Sequence, residues 1–160
     1  MRIGIGYDIH PLGPQRKLIL GGVEVPNSEG LIGHSDADAL VHAVCDALLG
    51  AMGEGDLGKH YPSSDPRYKN VSSLLLLDEI SGKLQAKGYR LVNLDTVIIA
   101  QAPRLSPFLD AMRSRIAEVL KVDSEVVNIK VKSGEGLDAI GRAEAIAAHA
   151  VCLIEEVETS

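Results

Sequence analysis

A carboxylate and two imidazoles in this chain have the types and spacing to share a metal ion. Asp8 and His10 are two residues apart in Gly4–His10, a segment typical of a β-strand, and side chains two apart on a strand point to the same face. His42 lies in an otherwise apolar segment that predicts a helix. One oxygen and two nitrogen ligands with an open fourth position are typical of a catalytic zinc site. We therefore predict that these three residues bind Zn²⁺ or a similar divalent ion.

Asp46 is the predicted partner of His42. It lies four residues further on, and residues four apart on a helix lie nearly one above the other. A carboxylate there would accept the proton of the second imidazole nitrogen and orient the ring. A purely structural alternative stays open, because the Asp8–His10 pattern is common and Asp46 would also suit a solvated helix surface.

Two further segments have the composition of phosphate-binding loops. Ser133–Gly136 follows a predicted strand, and its glycines allow backbone N–H groups to approach an anion closely. Glu135 suits a second cation such as Mg²⁺, held between this carboxylate and the phosphates. Ala100–Ser106 precedes a helix N-terminus, which attracts phosphate, and Arg104 and Arg142 would add charge. A plain glycine turn and solvated arginines are the alternatives.

The elements that must position these residues follow from hydrophobic periodicity and turn signals. The first helix is predicted to start near Ser35, with Ser35 or Asp36 as its cap and Asp38 completing a capping box. A long irregular stretch around Pro62–Pro66 is typical of a functional or mobile loop. Glu144–Val157 fits a helix or a strand. The other predictions are a strand over Met1–Asp8, a hairpin over Lys17–Val25, a helix over Ser72–Lys87 that Gly88 ends, a strand over Arg90–Ala100, a helix from Ser106 and a strand over Val127–Lys132.

Composition limits the classes of function. The 160 residues are 46% hydrophobic and 24% charged with a net charge of −6, which predicts one α+β domain over 1–160. Without a basic block the chain is not expected to bind nucleic acid. Cys45 and Cys152 match no metal or redox spacing. We see no signal peptide and no apolar run long enough for a membrane span, so we expect a cytoplasmic protein.

The separated motifs resemble one family, the 2-C-methyl-D-erythritol 2,4-cyclodiphosphate synthases. The resemblance extends over nearly the whole chain, in the order and spacing of the family. It is carried by Gly6-Tyr7-Asp8-Ile9-His10, Gly33-His34-Ser35-Asp36-Ala37-Asp38 with His42, Gly55-Asp56-Leu57-Gly58, Ile99-Ala100-Gln101-Ala102-Pro103 and Gly141-Arg142.

The resemblance implies a fold, an assembly and a reaction. The fold would be a mixed β-sheet packed on one side by helices, with ferredoxin-like topology and the C-terminal segment as a strand. Three copies would form a homotrimer with active sites between neighbouring subunits. In the non-mevalonate isoprenoid pathway, 4-diphosphocytidyl-2-C-methyl-D-erythritol 2-phosphate would cyclise to the 2,4-cyclodiphosphate and release CMP.

Site residues are implied in the same way. The zinc ligands would be Asp8, His10 and His42, Glu135 would touch a second metal (Mg²⁺ or Mn²⁺), and His34 and Ser133 would stabilise the transition state. Arg142 would lie near a central trimer cavity that holds isoprenoid diphosphates in the family. The implied substrate contacts are Asp8, His10, His34, Ser35, Asp56, Leu57, Gly58, Tyr61, Pro62, Ser63, Ser64, Asp65, Ala100, Gln101, Ala102, Pro103, Arg104, Leu105, Ser106, Lys132, Ser133, Gly134, Glu135, Ala139 and Arg142.

Two other functions use the same residues. A metal-dependent phosphoesterase would use the same ion to activate water, and its product would be linear with free phosphate. A non-catalytic trimer that binds isoprenoid diphosphates would depend on Arg142 and not on Asp8.

Overall fold

A five-stranded mixed sheet is the centre of the fold in the computed structural model, which describes residues 1–158. Residues 159 and 160 of the predicted domain lie outside the described residues. The order across the sheet is β4-β1-β7-β5-β6, and β2 and β3 form a separate hairpin. The strands are β1 Arg2–Gly13, β2 Leu18–Leu20, β3 Val23–Val25, β4 Gly30–Leu31, β5 Tyr89–Ile99, β6 Val127–Lys132 and β7 Ala145–Glu156.

Helices cover one face of this sheet. The long ones, α1, α3 and α4, bury their apolar sides in one hydrophobic core. None of the helices in residues 1–158 has the length and apolar character needed to span a membrane. The helices are α1 Ala39–Met52, α2 Leu57–His60, α3 Ser73–Ala86, α4 Leu109–Leu120 and α5 Asp138–Gly141, with 3₁₀ turns at Pro66–Tyr68, Ser106–Phe108 and Ser124–Val126.

The predicted elements are largely confirmed. The mixed sheet, the hairpin and the helix that ends before Gly88 are present, and the ambiguous C-terminal segment is the strand β7. β5 and β6 pair in parallel as direct neighbours, whereas β7 is antiparallel to both β1 and β5. The large elements follow the order β–α–α–β–α–β–β, which differs from the β–α–β–β–α–β order of a ferredoxin-like fold. That part of the prediction is not confirmed.

The predicted start of the first helix is wrong. Ala37 has a left-handed backbone with φ of 57°, which a right-handed helix cannot include. Asp38 is the N-cap: its carboxylate accepts the N–H of Val41 at 3.0 Å, and those of Gly21 and Gly22 at 2.9 and 2.7 Å. Burial, followed by the charge of Asp36, raises the pKa of Asp38 to about 6. Asp38 therefore joins the β2–β3 turn to the start of α1.

Two glycines allow β1 to touch the backbone of α1. A Cβ atom on Gly4 would lie 1.9 Å from the carbonyl oxygen of Ala47, and one on Gly6 would lie 1.8 Å from that of Ala43. Such distances are far inside van der Waals contact, so no other residue fits without a shift of the helix. Because His42 is next to Ala43, this contact also sets how close His42 comes to β1.

We predict that Gly6→Ala lowers the free energy of unfolding by about 1–3 kcal/mol, the usual range for overpacking a core. Gly82→Ala is the matched control, since a Cβ atom on Gly82, in α3, would meet no neighbouring atom within 4 Å. That change should instead stabilise by about 0.5–1 kcal/mol. Urea unfolding in the presence of a metal chelator measures the free energy of unfolding of both variants. Equal stability of Gly6→Ala and the wild type would contradict the close contact.

Candidate functional site

Asp8, His10 and His42 meet at one point between β1 and α1. Oδ2 of Asp8 lies 2.7 Å from Nε2 of His10 and 3.1 Å from Nδ1 of His42. The two imidazole nitrogens are 3.3 Å apart. Each residue thus directs one ligand atom to the same small volume, and the three residues are positioned to bind a metal ion.

The spacing of these atoms fits a divalent transition metal. A tetrahedral zinc ion with bonds of about 2.0–2.1 Å places neighbouring ligand atoms about 3.3 Å apart. Two of the three observed separations are within a few tenths of an ångström of that value. A carboxylate and two imidazoles are also a usual donor set for such ions.

Without a bound ion, the two histidines lower the pKa of Asp8, and Asp8 raises that of His10. Burial by itself raises the pKa of Asp8, but the hydrogen bonds and charges of His10 and His42 outweigh it, and the net shift is downward. Burial by itself lowers the pKa of His10, but the hydrogen bond and charge of Asp8 raise it by more, so the net shift is upward. A cation bound here would replace the protons shared by these groups, as metal ligands require.

The second nitrogens of both imidazoles face oxygen atoms. Nδ1 of His10 lies 3.0 Å from the carbonyl oxygen of Ile32. Nε2 of His42 lies 2.8 Å from the hydroxyl of Ser73 and 3.1 Å from that of Ser35. Partners of this kind hold a ligating ring in its orientation.

The predicted contact between Asp46 and His42 is wrong. Oδ1 of Asp46 instead accepts the N–H of Leu57 at 2.7 Å, and the hydroxyls of Ser35 and Ser73 take the place expected for it. Burial raises the pKa of Asp46, although the Leu57 N–H opposes that shift. Asp46 therefore anchors α2, which Asp56 caps and which contains Gly58, to α1.

A cavity of about 160 Å³ opens beside the metal ligands. His34 is held there by a 2.9 Å contact of Nε2 with the carbonyl oxygen of Asp65. This volume is below the roughly 300–1,000 Å³ typical of small-molecule sites, so it suits only part of a nucleotide-sized ligand. Its lining comprises His10, His34, Ser35, His42, Leu57, Tyr61, Ser63, Tyr68 and Leu76.

The loop that follows α2 is fixed to α3 through Tyr61. Its hydroxyl donates to Oε2 of Glu79 at 2.8 Å, and its ring packs edge-on against Tyr68 at 5.2 Å. Burial and the carboxylate of Glu79 both raise the pKa of Tyr61. Of the predicted substrate residues in this loop, Tyr61 and Ser63 line the cavity, whereas Pro62 and Ser64 are exposed and do not line it.

A second pocket lies where β5 and β6 end. Ser133 donates to Oε1 of Glu135 at 3.0 Å and accepts the Glu135 N–H at 3.2 Å, so this loop turns its hydroxyl and carboxylate towards each other. The predicted residues Ala102, Gly134 and Glu135 adjoin the lining without being part of it. The lining comprises Ala100, Gln101, Pro103, Arg104, Leu105, Ser106, Val131, Lys132 and Ser133.

Both pockets lie at the same end of the sheet. His10 pairs with Ile146 of β7, and Ile99 at the end of β5 pairs with the adjacent Ala147. Lys132 of β6 lies opposite Ile99. With strands about 4.8 Å apart, the backbones of His10 and Lys132 are separated by three spacings, roughly 14 Å. The two pockets share no lining residue among the described residues, so they are separate pockets at one end of the sheet.

Ala139 and Arg142, two further predicted site residues, line neither pocket. Ala139 is in α5, and the guanidinium of Arg142 donates to the carboxylate of Glu144 at 3.0 and 3.1 Å. Sequence analysis in turn missed Ser73, Tyr68 and Leu76. No motif contains them, because they are brought to the cavity by the packing of α3 and the turn before it.

Comparison with known proteins gives one consistent result. Residues 1–155 match the model of the YgbB family. A curated relative from Syntrophomonas wolfei, named 2-C-methyl-D-erythritol 2,4-cyclodiphosphate synthase, is 54% identical over 98% of this chain and 99% of its own. The solved "IspF (Plasmodium falciparum) CDP complex" is 32% identical with a TM-score of 0.87, covering 98% and 97%. The bifunctional IspDF of Campylobacter jejuni is 39% identical with a TM-score of 0.94, covering 98% of this chain and 42% of that one.

We predict that Asp8→Ala and His42→Ala no longer retain a stoichiometric divalent ion, because two remaining ligands hold a metal poorly. His60→Ala is the control: His60 contacts the carbonyl oxygen of Glu54 and takes no part in the cluster. Metal content after dialysis and calorimetric titration with Zn²⁺ measure the effect. Equal zinc binding by all three variants and the wild type would refute the assignment.

Proposed function

The chain belongs to the YgbB family, whose curated relatives are 2-C-methyl-D-erythritol 2,4-cyclodiphosphate synthases, and we propose that it catalyses their reaction. The substrate is 4-diphosphocytidyl-2-C-methyl-D-erythritol 2-phosphate. An oxygen of its 2-phosphate attacks the β-phosphorus, the bond from that phosphorus to the CMP oxygen breaks, and the 2,4-cyclodiphosphate and CMP leave. The whole chain, 1–160, acts as one catalytic domain.

The convergence of Asp8, His10 and His42 beside the cavity is the observation that carries this proposal. The nucleophile and the group under attack are both anionic, so a catalyst must offset their repulsion and hold them in line. Within residues 1–158, the lining of the cavity beside these ligands includes no Lys or Arg. A Zn²⁺ ion at these ligands and an Mg²⁺ or Mn²⁺ ion at Glu135, when bound, would provide positive charge.

The protein groups position the substrate and stabilise developing charge. Ser133 donates to Glu135 in the free chain; when Glu135 binds the second cation, that hydroxyl proton turns to a phosphate oxygen, where a donor acts most strongly as charge builds up. His34 lines the cavity beside the metal ligands and stabilises the developing charge there. Asp56 and the backbone of Leu57 and Gly58, which Asp46 holds in place, contact the methylerythritol hydroxyls. The substrate carries its own nucleophile, so no protein side chain needs to form a covalent intermediate.

The second pocket takes the cytidine diphosphate portion. A solved relative from Plasmodium falciparum is a CDP complex. In this chain the end of β5 leads through Ala100–Ser106 into α4, and Arg104 and Lys132 line the pocket with positive charge. Arg104 offers a planar fork of donors that suits phosphate oxygens.

The assembly we propose is a homotrimer whose neighbours complete each site. The sheet face opposite the helices exposes large apolar side chains, among them Ile3 and Ile5 at 71% each and Tyr7 at 50%. A continuous apolar face of this kind marks a protein–protein interface. The two pockets of one chain, whose His10 and Lys132 backbones are about 14 Å apart, would each be completed by the other pocket of a neighbouring chain. Arg142 would then adjoin the central cavity, with an isoprenoid diphosphate as its ligand.

Product analysis tests the reaction. We predict that the protein with the diphosphocytidyl substrate yields CMP and the cyclodiphosphate in equal amounts, and that chelation stops both. Restoring Zn²⁺ and Mg²⁺ should restore them. Free phosphate with a linear product would instead support a phosphoesterase, and binding without turnover would support the non-catalytic alternative.

A charge on the apolar face tests the assembly. We predict that Ile5→Glu lowers the molar mass in light scattering to that of one chain and abolishes turnover, because a carboxylate cannot be buried unpaired at an interface. Zinc binding should persist, since Asp8, His10 and His42 belong to one chain. Leu75→Glu is the matched control, because Leu75 is also exposed but lies on α3. A trimer of normal activity with Ile5→Glu would exclude this face as the interface.

A further inference from the structure

We infer that Ser73 and Asp36 are positioning residues that fix the tautomer of His42 and so present its Nδ1 lone pair to the metal. The inference rests on the metal site of the proposed function, and it concerns how this chain prepares one ligand. Neither residue belongs to the ligand set or to the predicted substrate contacts.

Three buried or half-buried side chains, those of His42, Ser73 and Asp36, form a series of hydrogen bonds that leads away from the metal site. Ser73 is the first residue of α3 and is fully buried. Its hydroxyl lies 2.8 Å from Nε2 of His42 and also bonds to Oδ1 of Asp36. The Asp36 carboxylate further accepts the N–H of Ser73 at 3.0 Å and that of Asp38 at 3.2 Å. Three donors therefore converge on the Asp36 carboxylate.

The number of protons available to each group determines which one donates in each of these hydrogen bonds. A carboxylate that receives three donors acts only as an acceptor, and a serine hydroxyl has one proton to give. Ser73 gives that proton to Asp36, so its oxygen lone pair faces His42. Nε2 of His42 must then carry the N–H. Since a neutral imidazole carries one N–H, Nδ1 holds the free lone pair, and Nδ1 is the atom that faces Asp8 and His10.

Ser35 cannot set this direction by itself. Its hydroxyl lies 3.1 Å from Nε2 of His42 and accepts the N–H of Ala37 at 3.2 Å. It has no carboxylate partner among the contacts of the described residues, so its own proton can point either way. Of these two serines, Ser73 is the one locked by a group that accepts and never donates.

Both histidines have the ring nitrogen that faces away from the metal site fixed as an N–H donor, but by different acceptors. Nδ1 of His10 faces the carbonyl oxygen of Ile32, which can only accept a proton. Nε2 of His42 faces hydroxyls, which both donate and accept. The Asp36 carboxylate behind Ser73 removes that ambiguity and makes the hydroxyl act as the carbonyl does for His10.

Zinc affinity of three serine and aspartate variants tests the inference. We expect Ser73→Ala and Asp36→Asn to bind Zn²⁺ about 10–100-fold more weakly than the wild type, the usual effect of losing a partner of a metal-bound histidine. Ser81→Ala is the matched control, because Ser81 is equally buried in the same helix away from the site and should bind as the wild type does. Competition with a chromophoric chelator gives the dissociation constants.

A spectroscopic readout separates positioning from folding. In the zinc-loaded wild type, ¹H–¹⁵N spectra should show a slowly exchanging proton on Nε2 of His42, assigned by its absence in His42→Gln. Ser73→Ala should lose that protection, whereas Ser73→Thr, which keeps a hydroxyl, should retain it and most of the affinity. Thermal unfolding without metal shows whether each variant folds, and Asp36→Asn serves if Ser73→Ala does not.

The outcomes are distinct. Wild-type affinity in both folded Ser73→Ala and Asp36→Asn would overturn the inference while leaving the metal site intact. A wild-type chain that binds no zinc would overturn the proposed metal site, and the inference with it.

Discussion

The contact between the backbone of β1 and that of α1 is the constraint on which the rest of the structure depends. Gly4 and Gly6 leave no room for a side chain beside the carbonyl oxygens of Ala47 and Ala43. Asp8 and His10 lie on the same face of the strand as these glycines, and the side chain of His42 projects from α1 next to the contact. Three ligand atoms from two elements can meet within 3.3 Å only because strand and helix approach this closely.

Buried polar groups hold this contact in register. Asp38 accepts three backbone N–H groups from the start of α1 and from the β2–β3 turn, and Asp36 joins α3 to the segment before α1. Burial of a carboxylate is costly unless its acceptors are filled, and both carboxylates are filled. The short segment between residues 33 and 38 thus connects a turn, two helices and the second sphere of the metal site.

The separation of the two pockets follows from the sheet. Helices cover only one of its faces, and β7 separates β1, which carries Asp8 and His10, from β5, which ends at the second pocket. Each pocket therefore has its own support in the sheet. In the proposed trimer, the exposed apolar face would supply the driving force for association, since burial of apolar area is the main favourable term in association. In the proposed trimer, folding and assembly thus act together to close the site.

Local sequence patterns determined much of this protein: the strands, the long helices, the Asp8–His10 pair and the choice of His42 as third ligand. These follow from periodicity and from donor chemistry, which are properties of neighbouring residues. Tertiary structure decided the start of α1, because the left-handed Ala37 and the donors of the distant Gly21 and Gly22 select Asp38 as the cap. It also decided the partner of His42. Helical spacing had indicated Asp46, but the partner is Ser73, which lies 31 residues away in the sequence. Only the packing of α3 against α1 brings Ser73 next to His42.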